Sequence, residues 1–302
     1  MTTDKDFPLK NYLAARKEMI DEALNHCLPG PEDFPPMIFQ AVRYSLFAGG
    51  KRLRPILCLA SAEAVGGDAG TVLPAACALE MIHTYSLIHD DLPAMDDDDM
   101  RRGRPTSHKV FGEAAAILAG DALLTEAFSL MSAGDRAVRI PAERRLQTIH
   151  EIAEAAGFRG MIGGQIVDIQ SEGRSPVPET LDYIHAHKTG ALILASVRAG
   201  ALLSGAGAAD LEALSGYGRH AGLAFQIADD ILNVEGDRSL LGKDTGSDAK
   251  RGKLTFPGLW GLDASRAKTA ALAGLALSAI RHFDDRAGPL RSIARYIIER
   301  NV

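Results

Sequence analysis

The chain has 302 residues, 46% of them hydrophobic and 24% charged, which is typical of a globular protein with enough apolar side chains for a large core. Its formal net charge of −6 argues against a nucleic-acid-binding protein, because such proteins present clustered basic side chains to phosphates. The three cysteines include no CxxC pair, so they suggest neither a disulfide framework nor a structural zinc site.

The sequence carries no recognisable targeting or membrane segment. Its first residues lack the basic region and apolar core of a secretory signal. The most apolar segments, residues 114–124 and 191–203, are interrupted by Asp121 and Arg198 before they reach membrane-spanning length. We therefore expect a cytoplasmic protein without stable membrane insertion.

Helix-forming residues dominate, and the alternating pattern of strands is hard to find, so the periodicity predicts an all-α protein. The predicted helices cover residues 8–27, 36–48, 54–65, 73–92, 112–132, 142–156, 158–171, 179–204, 208–235, 264–283 and 288–299. No linker or composition shift divides the chain. We expect a single domain over residues 1–302, built as a bundle of long helices around a central cavity.

The turn between the second and third predicted helices has the sequence Ala-Gly-Gly-Lys-Arg-Leu-Arg-Pro. Its glycines let backbone N–H groups approach an anion, while Lys51, Arg52 and Arg54 supply positive charge. The turn is a candidate diphosphate site, and the alternative is an exposed basic turn. Neither G-x-x-x-x-G-K-[ST] nor G-x-G-x-x-G after a strand is present, so a nucleotide is not expected.

Residues 89–102 hold six carboxylates within ten residues, followed directly by Arg101 and Arg102. Carboxylates this close repel unless a multivalent cation lies among them, and oxygen ligands without Cys or clustered His favour Mg²⁺ over Zn²⁺. Such a metal beside fixed arginines is suited to binding a diphosphate. The alternative is a solvated acidic loop. His83, seven residues before Asp90 on the same helix face, could donate to a phosphate or be an ordinary buried histidine.

A second acidic pair, Asp229 and Asp230, lies inside a strongly helical stretch. Asn233 at i+4 and Gln226 at i−3 share the face of Asp229, which makes this face a candidate second metal site. The alternative is an amphipathic helix that shows two acids to water, although apolar residues surround the pair.

A Gly-rich segment with Lys243 and Lys253 follows the second acidic pair. This pattern predicts a mobile loop whose lysines close over a phosphate, with an exposed basic loop as the alternative.

The combination of these motifs resembles the trans-isoprenyl diphosphate synthases, of the bacterial farnesyl diphosphate synthase type. Two Asp-rich motifs lie about 140 residues apart, with the Gly-Gly-Lys-Arg-Leu-Arg-Pro turn upstream. Lys188-Thr189-Gly190, Phe225-Gln226 and the C-terminal Arg295-Tyr-Ile-Ile-Glu-Arg-Asn also fit. The resemblance covers nearly the whole chain.

The resemblance implies head-to-tail condensation of isopentenyl diphosphate with dimethylallyl and geranyl diphosphates, through ionisation of the allylic diphosphate. It implies three Mg²⁺ ions per active site, with Mn²⁺ as a substitute, on Asp90, Asp96 and Asp229. The side chains implied for the allylic diphosphate are Arg101, Lys188, Lys243 and Lys253. Those implied for isopentenyl diphosphate are Gly50, Lys51, Arg54, His83 and Arg102. Thr189 and Gln226 resemble oxygen dipoles that face the transient carbocation, and the released pyrophosphate would remove the final proton.

Two positions depart from the simplest form of these motifs. Asn233 stands where the family's second motif has its last Asp, so we expect retained activity with at most a modestly raised Mg²⁺ requirement. On an ideal helix Asp97, rather than Asp96, would share the face of Asp90. Pro93 should distort the helix there, and the resemblance therefore selects Asp96.

The most detailed of these expectations concerns the chain length of the product. Tyr85 lies five residues before Asp90, about 7.5 Å deeper along the helix, and with Ser86 it would set the floor of the hydrocarbon pocket. In the family such an aromatic goes with a C15 product, with the C20 geranylgeranyl diphosphate as the alternative. A class I terpene cyclase, which binds one diphosphate, and a non-catalytic prenyltransferase subunit are the competing protein classes. The family also implies a homodimer.

Overall fold

The computed structural model describes residues 7–133, 140–174, 177–235 and 253–299, and it confirms the all-α prediction. The helices are α1 (Leu9–Cys27), α2 (Pro36–Leu46), α3 (Leu53–Ala64), α4 (Ala69–Asp90), α5 (Ser107–Phe111), α6 (Glu113–Ala133), α7 (Ala142–Ala156), α8 (Met161–Ser171), α9 (Pro178–Ile184), α10 (Ala191–Leu203), α11 (Ala208–Glu235), α12 (Phe256–Trp260), α13 (Leu262–Ala279) and α14 (Gly288–Glu299). A π-helical segment, His185–Gly190, joins α9 to α10, and a 3₁₀ turn, Asp285–Ala287, precedes α14.

Helix α4 lies at the centre of the molecule, between α3 and α6, while α10 packs on α3, α7 and α11. Leu79, Met81 and Ile82 of α4 are fully buried, and each such side chain contributes about 1.5–3 kcal/mol by leaving water. Because α4 is apolar on nearly every side, it is held in one orientation by its neighbours. The side chains that α4 contributes to the cavity at its C-terminal end are therefore held in place by this packing.

Several boundaries differ from the predicted ones for local reasons. Helix α4 begins at Ala69 rather than 73, because the Asp68 side chain accepts from Thr71 N at 3.0 Å and caps the helix before Pro74. The predicted helix over 179–204 contains the π segment. Among the described residues, the prediction missed the short helices α5 and α12 and a hairpin of two strands.

The hairpin pairs β1 (Met100–Arg101) with β2 (Arg104–Pro105) in antiparallel register, with Met100 opposite Pro105 and Arg101 opposite Arg104. Arg102 at its tip has a φ of +52°. This tight turn places the two consecutive arginines in different surroundings.

Helices α4 and α6 are long and apolar enough to cross a membrane by length and composition alone. The interruption expected at Asp121 therefore does not remove α6 from that class. In α4, 67% of the most apolar 18-residue stretch is buried inside the protein, whereas in α6 the share is 39%. The first value fits a core helix, and the second shows that α6 keeps an apolar face open.

Candidate active site

The first acidic motif forms one wall of a polar cavity of about 280 Å³. Helix α4 ends at Asp90, and the turn that contains Pro93 returns so that Asp96 N donates to the Asp90 carbonyl at 2.8 Å. Asp90 and Asp96 both line the cavity, with Asp229 of α11 on its lining as well, whereas Asp97 is exposed. The broken helix thus places Asp96, rather than Asp97, beside Asp90, in agreement with the distortion predicted at Pro93 and with the choice of Asp96 that the resemblance implied.

The acidic side chains of this cavity match the ligand preference of Mg²⁺. Burial raises the pKa of Asp90, and the nearby Asp96 carboxylate raises it further, while Lys188 lowers it. Two neighbouring carboxylates need positive charge close by, which Lys188 and Lys253 supply here, and their oxygens are the ligand type that Mg²⁺ prefers. The residues present therefore fit a divalent cation held between Asp90 and Asp96.

Asp168 is a site residue that the sequence did not reveal. It is 5% exposed on α8, and its Oδ2 atom accepts from Lys188 Nζ at 2.6 Å and lies 3.8 Å from Lys253 Nζ. Lys253 Nζ also lies 2.9 Å from Asp96 Oδ1. The two lysines thus stand among three carboxylates at the cavity. When a diphosphate binds with its cations, the lysines can pair with the diphosphate and the carboxylates with the cations, so that no charge is left unpaired.

The π segment determines where Lys188 and Thr189 point. A wider helical turn shifts side chains around the axis, and such segments are frequent at functional sites. Gly164 of α8 permits the close approach, because a Cβ there would overlap the Lys188 backbone nitrogen. Lys188 and Thr189 consequently line both the polar cavity and a deeper apolar one.

The two acids of the second motif have different surroundings. Asp230 is 4% exposed and accepts from Gln226 Nε2 and from the Phe256 backbone N–H, both at 2.9 Å, with His185 Nε2 at 3.2 Å. Asp230 therefore anchors α12 and Gln226. Asp229, in contrast, lines the polar cavity.

Thr189 belongs to the same network, since its hydroxyl donates to Gln226 Oε1 at 2.6 Å. Both ends of the Gln226 carboxamide are thus engaged within the protein, while the lone pairs of Thr189 Oγ1 remain available to the cavity.

The two arginines of the basic turn before α3 differ in their surroundings: one is bound inside the protein, and the other lines a cavity. Arg52, which has a φ of +52°, is 2% exposed and donates to Asp21, Glu80 and the Leu46 carbonyl at 2.8, 2.6 and 2.7 Å. The expectation that Arg52 supplies charge to a phosphate is therefore wrong. Arg54 lines the apolar cavity, its Nε is buried without a partner among the described residues, and burial lowers its pKa. Lys51 is exposed beside them.

The two arginines of the hairpin also differ. Arg101 donates through Nε to both oxygens of Asp91, at 2.7 and 2.8 Å, and lines the polar cavity. Arg102 donates to the Gly49 carbonyl, and burial lowers its pKa. Arg102 thus lies against the basic turn of Arg54, and Arg101 against the acidic motif.

Gly50 is the position through which the turn accommodates Arg102. Its φ is +118°, and a Cβ there would lie 2.7 Å from the Arg102 Cζ atom. We expect Gly50→Ala to displace the guanidinium and raise the KM for isopentenyl diphosphate about tenfold, the value of one charged hydrogen bond. Gly49→Ala is the matched control, because its φ of +99° gives similar backbone strain with nothing within 4 Å of the added Cβ. Equal KM values in steady-state assays of both variants would contradict the role of Arg102.

His83 is neutral in this setting, because burial and then the charges of Arg54 and Arg102 hold its pKa well below the usual range. As the pH falls below about 6.5, His83 binds a proton in the unfolded chain but stays neutral in the folded chain. The free energy of unfolding should then fall by up to about 1.4 kcal/mol per pH unit. His83→Asn should reduce this slope in urea titrations at pH 7 and 5.5, whereas the exposed His26→Asn should not. Parallel slopes for wild type and His83→Asn would refute the assignment.

A second cavity of about 440 Å³ opens below the polar one. Tyr85, 6% exposed, and Ser86 line it from α4, opposite Gln165 of α8 and several apolar residues. The further apolar lining residues of this deeper cavity are Leu87, Met95, Met161, Ile162, Ile166 and Ile169, and its polar rim includes His83, His89 and Asp90. This position, below the polar cavity, suits a hydrocarbon tail.

Two expectations concern residues away from these cavities. Lys243 lies outside the described residues, so its predicted contact with a phosphate stays a prediction. Asp97, Asp99 and His108 place ligand atoms within 4.8 Å of one another, but both acids are exposed and Asp99 already pairs with Lys109 at 2.7 Å. This cluster fits a solvated surface rather than the metal wall of the cavity.

Comparisons with known proteins agree with this geometry. The family described as Polyprenyl synthetase matches residues 35–283. A geranylgeranyl diphosphate synthase from Cyanophora paradoxa is 48% identical over 98% of each chain, and a farnesyl diphosphate synthase from Geobacillus stearothermophilus is 46% identical over 97% of this chain and 98% of its own. The crystal structure of an FPP/GFPP synthase from Zymomonas mobilis superposes with a TM-score of 0.84, at 40% identity, and covers 96% of this chain and 98% of that one.

Proposed function

Because the chain belongs to the polyprenyl synthetase family and is a prenyltransferase, we propose that it condenses isopentenyl diphosphate with dimethylallyl and then geranyl diphosphate to form farnesyl diphosphate. The observation that carries the C15 product is the buried Tyr85 ring on the wall of the deeper cavity, five residues before Asp90. The second candidate is the C20 product, favoured by the relatives at 48% identity that are named geranylgeranyl diphosphate synthases.

Two different sets of residues bind the two diphosphates. Lys188 and Lys253 face the first polar cavity and bind the allylic diphosphate, together with Arg101. Arg54 and Arg102 hold isopentenyl diphosphate near the neutral His83, which donates one N–H. Holding both substrates in adjoining sites makes their reaction effectively intramolecular, which supplies much of the rate enhancement.

Members of the family depend on Mg²⁺. We propose three ions, replaceable by Mn²⁺, on Asp90, Asp96 and Asp229, with Asp168 able to join them from α8. Bound Mg²⁺ supplies Lewis-acid stabilisation of the leaving pyrophosphate. The lysines add fixed positive charge where negative charge develops on the departing oxygen.

A direct assay tests the proposal. Purified chain, Mg²⁺ and labelled isopentenyl diphosphate are incubated with dimethylallyl or geranyl diphosphate, and the dephosphorylated products are separated by chain length. C15 alcohol from both primers is the expected result. Accumulation of C20 supports the second candidate, while cyclised product from geranyl diphosphate alone indicates a terpene cyclase. A chain that elongates neither primer is not the proposed enzyme.

The homodimer and the cytoplasmic location are also proposals. The homodimer is supported by Ile117 and Leu118 of α6, which are 42% and 58% exposed on an apolar helix. Burying such a face against a second copy removes it from water.

Leu118→Glu should therefore convert a dimer into a monomer in size-exclusion chromatography with light scattering. Leu275→Glu on α13, where the leucine is 51% exposed, is the matched control and should remain dimeric. A monomeric wild-type chain, or an unchanged Leu118→Glu dimer, would reject this interface.

A further inference from the structure

Gln165 on α8 has a carboxamide without a partner. Both its Nε2 and its Oε1 atoms are buried, and neither forms a hydrogen bond within the described part of the chain. The residue lines the deeper cavity among isoleucines 162, 166 and 169 of the same helix. Leaving such a group unpaired costs about 1–3 kcal/mol, so its presence on an apolar wall indicates a partner supplied by the ligand.

The depth of Gln165 identifies which part of the ligand it meets. Asp168, on the same face one turn later and about 4.5 Å along the axis, contacts Lys188 at the level of the diphosphate. Tyr85 lies about 7.5 Å below Asp90 on α4. Gln165 lines the deeper cavity together with Tyr85, Lys188 and Thr189, whereas Asp168 lines the polar cavity, so Gln165 meets the allyl chain rather than the diphosphate of the substrate.

Gln226, in contrast, has both amide ends engaged within the protein. Its Oε1 accepts the Thr189 proton at 2.6 Å, and its Nε2 donates to Asp230 at 2.9 Å. The contact with Gln226 orients Thr189 so that its lone pairs are open to the cavity. Gln165 is the glutamine whose two amide ends are both still available.

We propose that Gln165 Oε1 is a further oxygen dipole that faces and stabilises the allylic carbocation, beside the Thr189 and Gln226 dipoles that the family resemblance implies, an inference that rests on the proposed function. The C1–O bond of the allylic diphosphate breaks heterolytically, and its electron pair leaves with pyrophosphate. Positive charge then spreads over C1 and C3 until the alkene of isopentenyl diphosphate donates its π electrons to C1. The product cation loses a proton to the released pyrophosphate and forms the new double bond, and Gln165 forms no covalent bond.

Charge decides which end of the carboxamide faces the carbocation. The cationic side chains Arg54 and Lys188 already provide donors to phosphate oxygens in these cavities. An N–H group directed at a carbocation would raise its energy, whereas the carbonyl oxygen lowers it. The oxygen therefore turns towards the reacting carbons.

Gln165→Met tests the dipole, because methionine has similar length and no amide. We expect kcat to fall by roughly tenfold to hundredfold, while the KM values for both diphosphates change little. The control is Gln147→Met on α7, where the exposed amide donates only to Glu151 at 3.2 Å, and its kcat should be unchanged. A Gln165→Met enzyme with wild-type kcat would overturn the proposal.

A binding experiment separates this role from a structural one. Two unreactive probes are compared by calorimetry with Mg²⁺ present: geranyl thiolodiphosphate, which is neutral in its allyl unit, and an analogue with a protonated amine at C3. Gln165→Met should weaken only the ammonium probe, by roughly tenfold to hundredfold. Gln165→Glu, whose carboxylate adds a full negative charge, should favour the ammonium probe more strongly than wild type does, and the ratio of dissociation constants does not depend on the fraction of folded protein.

Equal weakening of both probes by Gln165→Met would show a structural role and overturn the inference. Failure of the proposed function would look different. In that case the wild-type chain would neither elongate a primer nor bind geranyl thiolodiphosphate. Failure of the Gln165 inference alone would leave wild-type elongation and both wild-type affinities intact.

Discussion

Asp90→Asn is expected to lower kcat on the order of 10³-fold, because it removes one negative charge from the centre of the proposed metal wall. The carboxyl is buried beside Asp96, and its pKa is already raised by burial, so its charge is costly and is retained only where a cation uses it. An amide offers one neutral oxygen in place of a charged bidentate ligand. The Mg²⁺ concentration for half-maximal rate should rise together with the loss in kcat.

The acidic motif provides its own control for this experiment. Asp99→Asn makes the same chemical change nine residues later, at an exposed side chain that pairs with Lys109 at 2.7 Å. Steady-state rates over a Mg²⁺ titration should leave this variant close to wild type. Similar losses in both variants would show that the total charge of the stretch matters, rather than the position of Asp90.

Local rules predict the geometry within each acidic motif, whereas the meeting of the two motifs at one site was implied by the resemblance alone. Helical periodicity puts Gln226 and Asp229 on one face, and both line the polar cavity. Proline chemistry at Pro93 predicts a distortion of the helix after Asp90, and the resemblance selects Asp96; the hydrogen bond of 2.8 Å from Asp96 N to the Asp90 carbonyl agrees with both. In these cases the few residues around a position decide its geometry.

Asp168 and Gln165 could not be found in the same way. Each is one polar residue in the apolar sequence Met-Ile-Gly-Gly-Gln-Ile-Val-Asp, and its meaning comes from residues far along the chain, such as Lys188. The available signal was the polar pair at i and i+3 on an otherwise apolar helix, which marks a face directed at something polar.

The prediction for Arg52 failed in the opposite way, because it assigned a ligand contact to a side chain that is buried. Its sequence neighbours Lys51 and Arg54 suggested one basic surface, but a left-handed backbone at Arg52 turns this side chain into the interior. There it pairs with Asp21 and Glu80, on helices α1 and α4. Charge clustering in sequence does not predict direction where the chain leaves regular helix geometry.

Tyr85→Ala is expected to shift the product from C15 to C20 or longer. The ring is 6% exposed and lines the deeper cavity, so its removal opens space in the direction of the growing tail. Elongation then stops where the next barrier lies rather than at the ring. The same truncation leaves a hole in a packed interior, and we expect stability to fall by about 3–5 kcal/mol, as for other aromatic-to-alanine changes.

Tyr85→Phe separates the ring from its hydroxyl. The Oη atom is buried without a partner among the described residues, so removing it should cost little and leave the product at C15. Chromatography of dephosphorylated products from wild type, Tyr85→Phe and Tyr85→Ala checks both statements. If the alanine variant still released only C15, the ring would not limit product length. Loss of C15 from the phenylalanine variant would assign the limit to the hydroxyl, since the ring volume is unchanged there.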